Sequence, residues 1–180
     1  VACKRADDDL RHLVAMISDT GMRLAEAVGL KVSDINVRCE YPHVLIKPHP
    51  HRRLKTASSE RVVPLVGASL WAAERLINQA ESAYCFSRYA SNDKCNSNSA
   101  SSAINKWIKT VVGSDAVIHG LRHSFRDRLR ATEAPTEVID QLGGWSLKTV
   151  GQGYGDGYQL DLLSNWMQKI AVDHQLSTLP

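Results

Sequence analysis

His119-Gly120-Leu121-Arg122-His123-Ser124-Phe125 opens a helical stretch that reaches Ala131, and its spacing brings chemistry onto one face. Residues three apart are neighbours on a helix, so His119 and Arg122 project together. A phosphoryl-transfer site wants this pair: fixed positive charge on the non-bridging oxygens, and a proton donor or acceptor beside the bridging ones. His119 and His123, four apart, also raise a zinc reading. The glutamate that an HExxH helix needs after its first histidine is replaced by Gly120, so no metal site is expected.

Upstream, Thr20-Gly21-Met22-Arg23-Leu24-Ala25-Glu26 sets an arginine at the tip of a helix that begins after a glycine break. Arg23 and Glu26 share a face by the same spacing rule. They form either a surface ion pair of little worth or a carboxylate that orients a guanidinium to grip a phosphate. Lys55 follows on a hairpin, in Leu54-Lys55-Thr56 ahead of Glu60-Arg61-Val62-Val63-Pro64, and nothing local marks it out from a solvated lysine. His43, His49 and His51 read as loop residues. Downstream, Tyr154 stands in Gly151-Gln152-Gly153-Tyr154-Gly155-Asp156-Gly157-Tyr158. The glycines let the backbone bring a phenol close to another chain, or make a loop with exposed tyrosines.

Periodicity organises the rest. Asp7 to Thr20 carries Leu10, Leu13, Val14 and Ile17 at amphipathic-helix spacing, and Met22 to Leu30 restarts a short helix. Asp34 is placed to cap a turn. His43 to Lys47 and Glu60 to Leu65 read as two extended runs of a hairpin or small antiparallel sheet, with prolines at its edge. Helical patterns then dominate: Leu70 to Ala80, a helix holding Ile104, Trp107, Ile108 and Val111, then His119 to Ala131. Thr136 to Leu142 follows, opened by Pro135 at its first turn, and Leu160 to Val172 closes the series. Ser91 to Ser102 reads as a polar loop in which the Ile104 helix begins. The last helix carries Leu162, Leu163, Trp166, Met167 and Ile170, to be packed in its own core or on a neighbouring protomer. The expected class is α+β, mostly α, with a small antiparallel β-sheet in the N-terminal third.

At 180 residues the chain suits one domain with a real core, and 43% hydrophobic and 23% charged residues describe an ordinary globular protein. No apolar run approaches the roughly 18 residues of a membrane span, so none is expected. The start at Val1 is read as a fragment boundary. Cys3, Cys39, Cys85 and Cys95 have no metal spacing, and without a secretory signal they are expected as free thiols in an intracellular setting. A net charge of +3 suits a polyanionic partner without requiring one. Arg52, Arg53 and Lys55 form one basic cluster; Arg122, His123, Arg126, Arg128 and Arg130 form a second. Each is a solvated face or a phosphate contact. No GxxxxGK[ST] loop, GxGxxG turn or paired-aspartate motif appears, which leaves nucleotide hydrolysis and two-metal nuclease chemistry without a foothold.

In order, these segments resemble the tyrosine recombinases, the phage-integrase-like enzymes. Thr20 to Glu26 is similar to their TG(L/M)RxxE segment, and Lys55-Thr56 with Arg61-Val62-Val63-Pro64-Leu65 to their hairpin lysine and RxVPL strand. His119 to Phe125 matches HxLRHSF. Leu142-Gly143-Gly144-Trp145-Ser146 resembles LGH-S, with Trp145 where a second histidine stands and where some members carry tryptophan. Tyr154 follows at the interval of the family's tyrosine. The resemblance covers roughly Leu10 to Ile170, and five motifs in sequence order make it specific.

The resemblance implies a tyrosine recombinase catalytic fold over residues 1–180, with a helical core-binding domain upstream and absent from this chain. It implies DNA cleavage and rejoining through a 3′-phosphotyrosine at Tyr154, for a prophage or other mobile element. Arg23 and Arg122 clamp the phosphate, Lys55 protonates the leaving oxygen, and His119 deprotonates the tyrosine or holds the phosphate. Trp145 adds a hydrogen bond, and Glu26 orients Arg23. An indole N–H donates but cannot exchange a proton, so acid–base work falls on Lys55 and His119. No cofactor or metal is implied. The expected partners are double-stranded DNA, other protomers in a synaptic tetramer and accessory DNA-bending proteins, in the cytoplasm at the nucleoid. Tyr158 is the alternative nucleophile; type IB topoisomerase activity and a non-catalytic DNA-binding module are the alternative functions.

Overall fold

A computed structural model describes residues 7–113, 115–145 and 157–171. Helices surround a three-stranded antiparallel sheet, as the patterns predict. The order is α1 (Asp9–Thr20), α2 (Leu24–Val28), β1 (Ile35–Asn36), β2 (His43–Ile46), β3 (Arg61–Pro64), α3 (Gly67–Asn78), α4 (Ser97–Val111), α5 (Ile118–Ala131), α6 (Thr136–Gly143) and α7 (Leu160–Ile170).

α1 is the central element. The Asp8 side chain caps it by accepting from the Arg11 N–H, and Leu13, Met16 and Ile17 bury its apolar face against α3 and α5. It stops at Gly21, whose φ of 61° closes a left-handed cap with the glycine N–H on the Ile17 carbonyl. The Phe125 ring of α5 lies directly over this glycine, and any Cβ there would run into it. Asp19, buried near the same end, accepts from the Ala68 N–H at 2.8 Å and from Arg128 Nη1 at 2.9 Å. Arg128 also donates to the Ile170 carbonyl. One carboxylate and one guanidinium thus join α1 to the start of α3, to α5 and to the end of α7.

The sheet order is β1-β2-β3, with Val44 opposite Val63 and Ile46 opposite Arg61. Val44 and Ile46 point into the core with Val63, as period-two alternation requires. Pro64 ends β3 on the edge of the sheet, where its missing N–H is tolerated. β1 is an addition to the two runs expected: at two residues it is too short to carry a period. Lys55 lies outside the strands, in the β2–β3 connection that ends in a 3-10 turn over Ala57–Ser59.

Two helix starts differ from the sequence reading, and the structure decides the packing of a third helix. Asn96 caps α4 by accepting from the Ser99 N–H, which draws Ser97 to Ser102 into a helix rather than a loop. The buried series Ala100, Ile104 and Ile108 supplies the force, and the serines ride on the exposed side. Pro135 is the residue before α6, with an extended ψ of 143°, rather than its first helical residue. α7 buries Leu163, Met167 and Ile170 against β3 and α5, so its stripe belongs to the chain's own core. Asp34 caps a turn as expected, accepting from the Lys31 N–H at 2.9 Å. Among the described residues no helix is long and apolar enough to cross a membrane.

Gly21→Ala is expected to destabilise the protein by roughly 2–4 kcal/mol, the sum of left-handed strain and overpacking against Phe125. Urea unfolding measures it, and Phe125→Leu in the same chain should recover part of the loss. An unchanged midpoint for Gly21→Ala would show that the turn is not held as described.

Candidate active site

Arg23 caps the start of α2 and Glu26 completes its first turn, so helical spacing alone brings them together. The Arg23 N–H donates to Glu26 Oε2 at 2.8 Å and its Nη1 to Oε1 at 2.7 Å. Glu26 is 3% exposed, which removes the reading of a plain surface pair. It also accepts from Arg61 Nη2 at 3.0 Å. Burial works to raise the Glu26 carboxyl, but Arg61 and then Arg23 outweigh it and hold the group below the ordinary carboxylate range. Arg23 Nη1 makes a second bond, at 2.8 Å, to Ser59 Oγ in the β2–β3 connection.

α5 enters the same place from the other side. Arg122 is 5% exposed; Nη1 donates to the Gly21 carbonyl and Nη2 to the Gly143 carbonyl at 2.6 Å. Both acceptors are neutral, so the guanidinium is fixed while its charge is left uncancelled. Burial, with Arg23 and Arg61 adding to it, pushes Arg122 down to about 10, which leaves it charged at neutral pH. One turn earlier, His119 stands exposed at the mouth. Arg23, His119 and Arg122 line one cavity of about 200 Å³, whose apolar walls include Ile17, Met22 and Ile118. Burial, then His123, Arg122, Arg23 and Lys55, push His119 below its usual value. It is therefore neutral at pH 7 and able to accept a proton.

The end of α6 supplies Trp145. Gly144, with φ 60°, makes the left-handed cap, and the Trp145 N–H returns to the Asp140 carbonyl at 3.0 Å. The indole then lies 4.4 Å from the Arg122 guanidinium carbon and 4.8 Å from that of Arg126. It acts first as an aromatic face against which these cations rest. Lys55 is exposed and near enough for its charge to reach His119. Tyr154 lies outside the described residues. Beyond them the chain re-enters at Gly157, and Gln141 holds Tyr158 by its backbone, accepting from its N–H at 2.9 Å and donating to its carbonyl at 3.0 Å. The Tyr158 side chain packs against the core.

The structure brings Arg23, Glu26, His119, Arg122 and Trp145 together and sets Lys55 at their edge. It splits the first basic cluster. Arg53 and Lys55 face solvent, whereas Arg52 is buried against Gly29 and its guanidinium finds no hydrogen-bond partner among the described residues. His49 and His51 are loop residues with partners, Asp34 at 2.7 Å and the Gly29 carbonyl at 3.0 Å. Sequence reasoning treated Arg61 only as part of a motif and gave no role to Ser59. A signal existed for Arg61: the alternation that buries Val63 also buries the residue two before it. For Ser59 there was none, because its neighbours are set by a tertiary approach.

A family model, that of the phage integrase family, matches residues 2–158. The chain is 31% identical over 151 residues to the tyrosine recombinase XerD of Corynebacterium glutamicum, covering 80% of this chain and 47% of that protein. To the tyrosine recombinase XerC of Mycobacterium tuberculosis it is 28% identical over 145 residues, covering 80% and 48%. The chain thus spans about half the length of the curated relatives it matches. Among solved structures, the XerH site-specific recombinase bound to its difH substrate gives a TM-score of 0.56 at 18% identity, covering 93% of this chain and 46% of that one. The Tn1549 transposon integrase in complex with circular intermediate DNA gives 0.57 at 17%, covering 84% and 54%. At such identities the likeness concerns the fold.

The Glu26 carboxyl is held below its unfolded value near 4.5, so its contribution is complete above that pH and drains away as the pH falls beneath it. Glu26→Gln is expected to lose about 3 kcal/mol at pH 7, where Arg61 is left buried without its counter-ion. The gap to wild type in thermal melts should narrow as the pH drops from 4.5 toward the acid limit. A gap that stays constant would mean the arginines do not hold the carboxylate ionised.

Proposed function

The chain belongs to the phage integrase family, and on that premise we propose that it is the catalytic domain of a site-specific DNA recombinase acting through a 3′-phosphotyrosine at Tyr154. The observation that carries this reading is the cavity where Arg23, Arg122 and His119 meet. Two fixed guanidinium groups face one small space, and the counter-charge of Glu26 lies behind Arg23 rather than in front of it. Such a space favours a phosphodiester, and favours still more the extra negative charge of its pentacoordinate state. Relatives that bear the name tyrosine recombinase, and fold neighbours solved on DNA, support the same reading.

In this mechanism the Tyr154 oxygen attacks the scissile phosphorus and the bond to the 5′-oxygen breaks. His119 receives the phenolic proton, and Lys55 delivers a proton to the departing oxygen, leaving a free 5′-hydroxyl. Arg23 and Arg122 hold the non-bridging oxygens in the geometry that a bidentate fork suits. Trp145 donates its indole N–H to the phosphate and backs the Arg122 plane. One phosphoester replaces another, so the reverse step rejoins strands without a nucleotide or a metal. Tyr158 is the poorer nucleophile, since Gln141 pins its backbone and its ring packs on the core.

The domain joins an upstream core-binding domain to enclose duplex DNA, works with further protomers in a synaptic tetramer, and admits accessory DNA-bending proteins. It serves a prophage or other mobile element in the cytoplasm, at the nucleoid. Its exposed lysines and arginines contact backbone phosphates, so DNA binding weakens as salt rises.

Incubation with a pool of nicked suicide duplexes, randomised on both sides of the nick, should yield a covalent adduct on a denaturing gel. The adduct is expected to vanish in Tyr154→Phe and to persist in Tyr158→Phe; adducts in neither wild type nor Tyr158→Phe would reduce the domain to a binding module. Arg23→Ala and Arg122→Ala should retain folding and slow adduct formation by about 10²–10³-fold each. Full-rate cleavage by either variant would remove that arginine from the phosphate clamp.

A further inference from the structure

We propose that Arg61, which lines no part of the cavity, is the positioning residue that sets Arg23, Lys55 and Arg122 in register for strand cleavage, an inference that rests on the function proposed above. Its side chain is 3% exposed, and each of its three nitrogens bonds to a different carrier of the site. Nη2 donates to Glu26 Oε2 at 3.0 Å, and Glu26 in turn holds Arg23. Nη1 donates to the Ser59 carbonyl at 2.7 Å. Ser59 Oγ accepts from Arg23 and pairs with Thr56 Oγ1 at 2.9 Å, next to Lys55. Nε donates to the Leu142 carbonyl at 2.9 Å. The following residue, Gly143, offers the carbonyl that fixes Arg122, and Trp145 stands two beyond it.

Geometry favours positioning over plain stabilisation. A buried ion pair is weak evidence for stability, because well-packed apolar groups do as well or better in its place. What apolar groups cannot do is fix three donors at set angles from one planar fork. Here those donors tie α2, the β2–β3 connection and the end of α6, which carry Arg23, Glu26, Lys55 and Trp145 and supply the carbonyl that fixes Arg122. No other described side chain bonds to all three. The guanidinium is also packed from behind, since a Cβ on Gly144 would lie 2.7 Å from Arg61 Nη1. An arginine so confined has little freedom to trade one partner for another.

The test uses a suicide duplex recovered from the adduct selection. Arg61→Met with Glu26→Gln removes the pair together; Arg23 loses its counter-ion, but its side chain is 26% exposed and open to water, so the fold is expected to hold. Melting, duplex affinity and single-turnover adduct formation are then measured in parallel. The expected result is near wild-type melting and affinity with adduct formation slowed about 10- to 100-fold, the scale of a displaced reacting group. Because Arg61 acts through Arg23 among others, its penalty should also shrink in an Arg23→Ala background, whereas a merely structural role gives penalties that multiply. Arg61→Lys, which keeps a charge opposite Glu26 but reaches one partner, provides the same comparison if the double variant melts early.

A rate within about twofold of wild type in either folded variant, a slowing matched by lost DNA affinity, or multiplying penalties would overturn the positioning role. If wild type itself forms no adduct, the function falls, and this inference with it.

Discussion

The Glu26 carboxylate is buried among cations, two of which bond to it directly. Arg23 and Arg61 bond to it, and its charge is also felt at Arg52 and Arg122. Removing it would leave several guanidinium groups repelling one another in a poorly solvated place. Leaving it in place does more than balance charge. It turns Arg23 at the cavity and couples a five-residue helix to a strand far along the sequence. The site is thus an arrangement of positive charge that the fold tolerates because one carboxylate sits at its back.

The backbone completes that arrangement. Gly21 ends α1 in a left-handed cap, and the same residue offers the carbonyl that fixes Arg122. Gly143 offers the second carbonyl at the end of α6, just before the left-handed cap at Gly144 that delivers Trp145. Helix C-termini carry partial negative charge, so cations placed there are favoured without a carboxylate. Arg122 draws on two such ends and so stays available to an anion. The stability of the helix ends and the electrostatics of the cavity are one piece of geometry.

Proton chemistry is separated from this fixed charge. Arg122, pushed down only to about 10, keeps its charge at neutral pH, whereas His119, pushed below its usual value by partial burial and neighbouring cations, is neutral there and can take a proton. Exposure of His119 and Lys55 at the rim suits the proton transfers proposed for them. Burial of Arg122 and Glu26 suits groups that must not move.

Much of this was legible in the sequence. Helical spacing paired Arg23 with Glu26 and His119 with Arg122, because neighbours on a helix follow from chain order. Two extended runs around a polar connection marked β2 and β3, and apolar stripes marked α1, α3, α4 and α7. Motif order then pointed to the family. Where the cue was local but ambiguous, as at the serines opening α4, burial of Ala100, Ile104 and Ile108 decided for a helix. The sequence by itself determined which residues could be neighbours within an element, since covalent spacing dictates that. Only the tertiary structure decided that Arg52 of the basic cluster is buried, that α7 packs on its own chain, and that Arg61 joins three separated segments. Those outcomes depend on contacts between residues distant along the chain, which are fixed by packing and the satisfaction of buried polar groups and leave no period in the sequence.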